Sequence, residues 1–413
     1  MLSLEHALAL DAADPLTPWR ERFLLPEGVI YLDGNSLGAL PAATPGRMDQ
    51  VVRAQWGADL IKSWNSHDWI GAPQRVGDKI ARLIGAEAGE VVVADSTSVN
   101  LFKLLSAALS HARSRDPARR VILTEPGDFP TDLYIAQGLA AQFGAELRVV
   151  EADRLVSALD AEVAVLLLTH VHYKTGRRRD MAALTAAAHA KGALVLWDLS
   201  HSAGAIPVDL NGCDADLAVG CGYKYLNGGP GAPAFLFVAG RHQAALHSPL
   251  TGWMGHAEPF AFGDAYRPAP GVDRFLCGTP SILGAAALEV GVDLLLEADQ
   301  AALYAKGQRL CDLFIDQVAF FAHAHGLRLI TPTEAGGRGG HVSYAHPDGY
   351  ALIQALIAQG VVGDFRTPDV ARFGFTPLYV GYADVWRAAD ALKSLLESGK
   401  WRDPTYAVRA KVT

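Results

Sequence analysis

The chain has 413 residues, half of them apolar and 19% charged, with a formal net charge of −8. That length exceeds one small core and implies about two domains of an ordinary globular protein. The acidic balance, without a Lys/Arg tract interleaved with aromatics, argues against a nucleic-acid partner.

The longest apolar runs, such as Val163 to Leu168, fall far short of the ~20 residues that span a bilayer, so no membrane partner is expected. Cys213, Cys221, Cys277 and Cys311 form no CxxC pair, so neither a zinc ribbon nor a thioredoxin-type centre is suggested, and no metal is expected. Four thiols in a long chain fit a reducing compartment. The first residues carry acids and no basic n-region of a signal peptide. A cytoplasmic location is the expectation.

In chain order, residues 1–45 read as an N-terminal arm ending in YLDGNSLGALP. Residues 46–285 read as a large α/β domain and residues 286–413 as a smaller α/β domain. VVVAD is a strand followed by the helical SVNLFKLLSAAL. RVILTEP is the next strand, with a helix from about Thr131 to Phe143. LRVV, VAVLLLTH, the helix MAALTAAAHAKG and ALVLWDLS follow, then LAVGCGYK and APAFLFVA. Short β-branched and aliphatic runs between helices predict buried strands of a mainly parallel sheet covered on both faces. Arg177 to Arg179 read as a solvated turn before a helix. Residues 240–280, rich in Gly, Pro and aromatics, read as a long functional loop. A helical pattern, ILGAAALEVGVDLLLEA, leads into the smaller domain, which holds RLITP and a final helix, VWRAADALKSLLES.

The chemistry concentrates between residues 194 and 231. One strand ends in Asp198, and another leads to Lys224 among glycines, 26 residues further on. Open α/β sheets bind ligands at strand C-termini. A carboxylate there can hold a protonated pyridine nitrogen, and a lysine can condense with an aldehyde and carry protons. Pyridoxal 5'-phosphate (PLP) needs both. Glycines beside the lysine are expected to let the cofactor approach the backbone. An Asp at a strand end is common, whereas a Lys within an apolar, Gly-flanked segment is unusual.

Three further segments fit that cofactor. Ser96-Thr97-Ser98 opens a helix and suits a phosphate, although plain N-capping explains it equally. Phe129, beyond the strand RVILTE, has the position to stack on a pyridine ring or to be a core phenylalanine beside a turn. His201, three residues after Asp198, has reach to the cofactor's 3-oxygen or serves as a structural histidine.

The segments YLDGNSLGALP, ADSTSVNLFKLL, DFPTD, LLLTHVHYKTG, LWDLSHSAGA and CGYKYLNGGPG together resemble the kynureninases. These are PLP enzymes in the class V branch of the aspartate-aminotransferase fold. The likeness runs from about residue 28 to 280 and is weaker at RFGFTPLY.

The resemblance implies hydrolysis of L-kynurenine to anthranilate and L-alanine in tryptophan catabolism and NAD biosynthesis, with 3-hydroxykynurenine as a second possible substrate. It makes Lys224 the cofactor-bonding lysine and Asp198 the partner of the ring nitrogen. Phe129 stacks on the ring, and Thr97 and Ser98 hold the phosphate. Tyr223 reaches the phosphate and relays a proton, while His201 and Asp132 complete the pocket. It implies a homodimer, with Trp253 and Thr279 supplied by the neighbouring subunit. Arg372 clamps the substrate carboxylate. Outside the resemblance, Arg372 would read as a surface ion pair and Trp253 and Thr279 as loop packing. Trp64 and Gly278-Thr279 stand where animal members carry a histidine and a Ser-Asn pair, which leans toward kynurenine. The alternatives are another class V enzyme, such as a cysteine desulfurase using Cys277 or an aminotransferase, and a PLP-binding regulator.

Overall fold

The computed structural model describes residues 2–410. They form two units: residues 45–170 with 179–296, and residues 2–44 with 171–178 and 297–410.

The first unit is built on a seven-stranded sheet. Its strands are β1 (Val91–Val93), β2 (Val121–Thr124), β3 (Glu146–Val149), β4 (Val163–Thr169), β5 (Leu194–Asp198), β6 (Leu217–Gly220) and β7 (Phe235–Val238). The order is β1-β7-β6-β5-β4-β2-β3. Strand β7 is antiparallel to both neighbours, and every other pair is parallel. The mainly parallel sheet expected from the sequence is therefore present. All seven residues of β4 are buried, as a strand covered on both faces requires.

Helices follow the strands: α1 (Thr97–Arg115) after β1, α2 (Pro130–Phe143) after β2, and α3 (Met181–His189) between β4 and β5. Each starts for a local reason. The Ser96 side chain caps α1, Pro130 occupies the first position of α2, and Asp180 caps α3. Leu101, Leu104, Leu105 and Ala108 of α1 pack into a core with Ile122, Val165, Leu167 and Leu196 of the sheet. Residues 240–280 hold only short helical turns, as their composition predicts. Helix α4 (Ile282–Glu297) follows.

The second unit contains an antiparallel sheet of β8 (Arg328–Leu329), β9 (His341–Ala345), β10 (Asp364–Arg366) and β11 (Val370–Gly374), ordered β10-β11-β9-β8. Its helices include α5 (Gln300–Ala322), α6 (Gly349–Ile357) and α7 (Tyr382–Ser398). The N-terminal residues belong to this unit. Ile30 and Tyr31 pair in parallel with Val361 and Val362. Asp11, on the helix Leu4–Ala13, accepts from the Tyr382 and Ala383 N–H groups at 2.6 and 2.9 Å and so caps α7. No described helix is long and apolar enough to cross a membrane.

Candidate active site

Strands β6, β5, β4 and β2 are consecutive in the sheet, and their C-terminal ends bring one cluster together. Asp198 ends β5 opposite Thr169 at the end of β4, and its main-chain carbonyl accepts from His170 N at 2.9 Å. The Asp198 carboxylate is buried and accepts from Ser200 N at 2.7 Å. Asp132, in the first turn of α2, is also buried and accepts from Thr169 Oγ1 at 3.5 Å. Burial first, then the neighbouring Asp198 and Asp128 carboxylates, holds the Asp132 carboxyl well above the ordinary range.

Lys224 lies in the turn beyond β6. That turn is closed by Asn227 N donating to Lys224 O and Gly228 N donating to Gly222 O, each at 2.9 Å. The lysine is buried, and its Nζ lies 2.9 Å from His201 Nε2. The same Nζ stands 5.6 Å from the Phe129 ring centroid and 5.9 Å from that of Tyr223. Lys224, His201, Asp198, Asp132, Phe129 and Tyr223 thus form one constellation.

The glycine two residues before Lys224 is also required by packing. A Cβ on Gly222 would stand 2.4 Å from the Pro233 carbonyl oxygen, so packing of the turn against its own chain already excludes a side chain there.

The other sequence candidates each have their own local surroundings. Thr97 and Ser98 are the first two residues of α1, half-buried, and the N-cap is Ser96, whose Oγ accepts from Val99 N at 3.4 Å. Gly278 and Thr279 line a cavity of about 170 Å³ together with Ala94, Asp95 and Gly231. Trp253 is 40% exposed and meets Phe260 edge to face at 5.6 Å. Trp64 is half-buried against Trp69 at 5.8 Å.

Arg372, in β11 of the second unit, is 1% exposed, which removes the surface-pair reading. It donates from Nε to Asp364 at 2.8 Å, from Nη2 to Asp364 and to Ser36 at 2.8 Å, and from Nη1 to the Tyr173 carbonyl at 2.6 Å.

Sequence reasoning missed a buried charge network beside the constellation. Arg179 is buried, contrary to the solvated turn expected of Arg177 to Arg179. Its Nη1 donates to Glu125 at 2.6 Å and its Nη2 pairs with Glu125 and with Asp128 at 3.2 Å. Its Nε donates to the Thr169 carbonyl at 2.9 Å, and Asp128 accepts from Thr169 N at 3.3 Å. This fork clamps the loop before Phe129 to the end of β4. Thr169, which touches Asp132, is a further member that sequence reading passed over.

The fold is that of the aspartate-aminotransferase type of PLP-dependent enzyme, with a lysine and an acid at the strand ends. Among solved structures, an apo cysteine desulfurase from Thermococcus onnurineus NA1 matches with a TM-score of 0.76 and 19% identity, covering 92% of this chain and 98% of that one. A variant of C-DES carrying glycine covalently linked to its PLP cofactor matches at 0.78 and 18%, covering 90% and 99%. At that identity the likeness is one of fold. Closer similarity lies elsewhere. The chain is 53% identical to the kynureninase of Burkholderia pseudomallei (strain K96243) over 417 residues, covering all of both chains. It is 52% identical to the kynureninase of Pseudomonas fluorescens over 416 residues, again across both entire chains. Residues 303–392 match the kynureninase C-terminal domain. The chain belongs to the kynureninase family.

Proposed function

We propose that this protein hydrolyses L-kynurenine to anthranilate and L-alanine with PLP, cleaving the Cβ–Cγ bond. The observation that carries this reading is the family relationship over the whole chain, at 53% identity. Cysteine desulfurases share its fold at 19% identity, which offers no comparable support for that chemistry.

The residues present fit the cofactor. Asp132 Oδ1 is buried without a hydrogen-bond partner, beside the Asp198 carboxyl. A protonated ring nitrogen is the donor and the positive charge that such a pair of acids lacks. When bound, PLP supplies an electron sink for negative charge developing at the substrate Cα.

The chain's own residues do the rest. Lys224 is the amine that bonds the cofactor's aldehyde and the base that moves the Cα proton. Asp198 keeps the proton on the ring nitrogen, with Asp132 behind it. Phe129 covers the ring, His201 bonds the 3-oxygen, and Thr97 and Ser98 hold the phosphate. Tyr223 reaches the phosphate and relays a proton. Arg372 takes the substrate carboxylate, a task suited to a guanidinium fork. Trp64 and Gly278 contact the aryl end of the substrate, with kynurenine favoured over its 3-hydroxy derivative.

The enzyme acts as a homodimer in this reading. Phe260 and Phe262 are 61% and 78% exposed beside Trp253, more apolar surface than a lone loop usually presents to water. A second copy covers it, and Trp253 and Thr279 reach the partner's cofactor. All four cysteines are free, which supports a cytoplasmic location.

The test is the fluorescence of anthranilate released from L-kynurenine by the PLP-loaded protein, with 3-hydroxykynurenine in parallel and sulfide release from L-cysteine as control. A preparation that frees sulfide and no anthranilate would sink the proposal.

A further inference from the structure

One wholly buried side chain joins two segments that the cofactor reading uses separately. Lys103, in the second turn of α1, is 0% exposed. It forms an ion pair with Asp95 and donates to the Phe275 carbonyl oxygen at 2.7 Å. Asp95 lies two residues before Thr97, and Phe275 lies four residues before Thr279. Asp95 and Thr279 line the same cavity of about 170 Å³.

The turn at Asp95 has to be held. Asp95 adopts φ 46, a left-handed conformation uncommon for L residues, although Asp is among those that tolerate it. Its carbonyl accepts from Ala234 N at 2.9 Å, the Asn100 side chain donates to Ala94 O at 2.8 Å, and Lys103 grips the carboxylate. From this turn the chain enters α1 through Ser96, Thr97 and Ser98. The charge matters as much as the shape. The Asp95 side chain is 34% exposed, and without the ammonium it would present an uncompensated negative charge beside a bound phosphate.

We propose that Lys103 is a positioning residue for the cofactor's phosphate group. It neutralises Asp95, fixes the left-handed turn that opens α1, and ties that turn to the segment ending in Thr279. Lysine suits the task because its compact ammonium directs separate N–H donors to a carboxylate and a carbonyl. The inference rests on the reading that Thr97 and Ser98 hold the phosphate.

The test compares two ligands that differ only in the phosphate. The apo-protein is titrated with PLP and with pyridoxal, following absorbance and protein fluorescence, and the ratio of the two dissociation constants is read. Lys103→Met is expected to weaken PLP by tenfold or more and pyridoxal by less than twofold, with Lys103→Arg, which keeps the charge in a bulkier head, recovering part of the loss. A Lys103→Met protein with the wild-type ratio, whether both ligands bind normally or both weaken equally, overturns the proposal. If Lys103→Met does not fold, K103M/D95N removes the whole ion pair; loss of the tie to the Phe275 carbonyl should still weaken PLP more than pyridoxal, and a wild-type ratio overturns the proposal. A Thr97→Ala/Ser98→Ala protein separates the two claims. If its ratio is unchanged, the phosphate reading of α1 falls. If its PLP constant rises relative to that of pyridoxal while that of Lys103→Met does not, only the role of Lys103 falls.

Discussion

Lys224 Nζ and His201 Nε2 lie 2.9 Å apart, both buried, at the ends of neighbouring strand connections. An ammonium only donates, so a charged Lys224 makes Nε2 the acceptor and leaves the histidine proton on Nδ1. The turn that carries Lys224 is closed by backbone bonds and by the fit of Gly222 against Pro233, neither of which involves the lysine side chain. Lys224→Ala is therefore expected to stay folded while losing both turnover and the visible absorbance of the covalently held cofactor. Circular dichroism and an absorbance spectrum of the PLP-treated variant check this, and a normally absorbing, active variant would refute the assignment.

The Arg179 fork makes a different prediction. Removing one partner of a buried ion pair leaves uncompensated charge, which typically costs about 3–5 kcal/mol. Arg179→Met strands Glu125 and Asp128 together, so urea unfolding of the apo-protein should show a loss of about that size. Arg179→Lys keeps the charge and loses the bidentate geometry, so it should fall in between. The loop released by Arg179→Met carries Phe129 and leads into Asp132, so cofactor affinity should drop as well. A variant with wild-type stability would show that the network contributes nothing.

The contrast between Lys224 and Arg179 explains what the sequence could tell. Strands such as VAVLLLT were legible because burial on both faces demands an unbroken apolar run. The Asp198–Lys224 pair was legible because a lysine among glycines in an apolar segment is hard to explain otherwise. Arg179 was hidden, since its partners Glu125 and Asp128 lie 54 and 51 residues away and a triplet of arginines looks solvated on its own. The reversed direction of β7 was equally hidden, because an apolar strand reads the same both ways. Lys103 sat in plain view within SVNLFKLL, but only the packing of α1 shows that it is wholly buried.

Asp33 should impose a pH dependence on stability. Burial first, then the neighbouring Asp364, pushes its carboxyl up to about 8, while Arg372 and Arg366 hold Asp364 below the usual carboxylate range against the cost of its own burial. A carboxyl whose pKa is raised on folding binds its proton more tightly in the native state. Its contribution is fully present below the ordinary value of 3.8 and is lost as pH rises to about 8. Asp33→Asn cannot ionise and escapes that loss. The melting temperature of Asp33→Asn relative to wild type should therefore climb from acid pH to about pH 8 and then level off. A difference that does not vary with pH would show that Asp33 does not titrate in this range.

The shared-site reading predicts complementation between two damaged chains. Lys224→Ala lacks the lysine, and Trp253→Ala/Thr279→Ala lacks the residues proposed to serve the partner's cofactor. Each homodimer should be impaired, since every site in it lacks one part. In a mixed dimer, the site containing the intact Lys224 receives Trp253 and Thr279 from the Lys224→Ala chain and is complete, whereas the other site lacks both contributions. Random re-association makes half of the dimers mixed, and half of their sites are whole, so about a quarter of wild-type activity should return on mixing unfolded chains and refolding them together. Activity no greater than the sum of the two separate preparations would mean that Trp253 and Thr279 serve their own chain's cofactor or none.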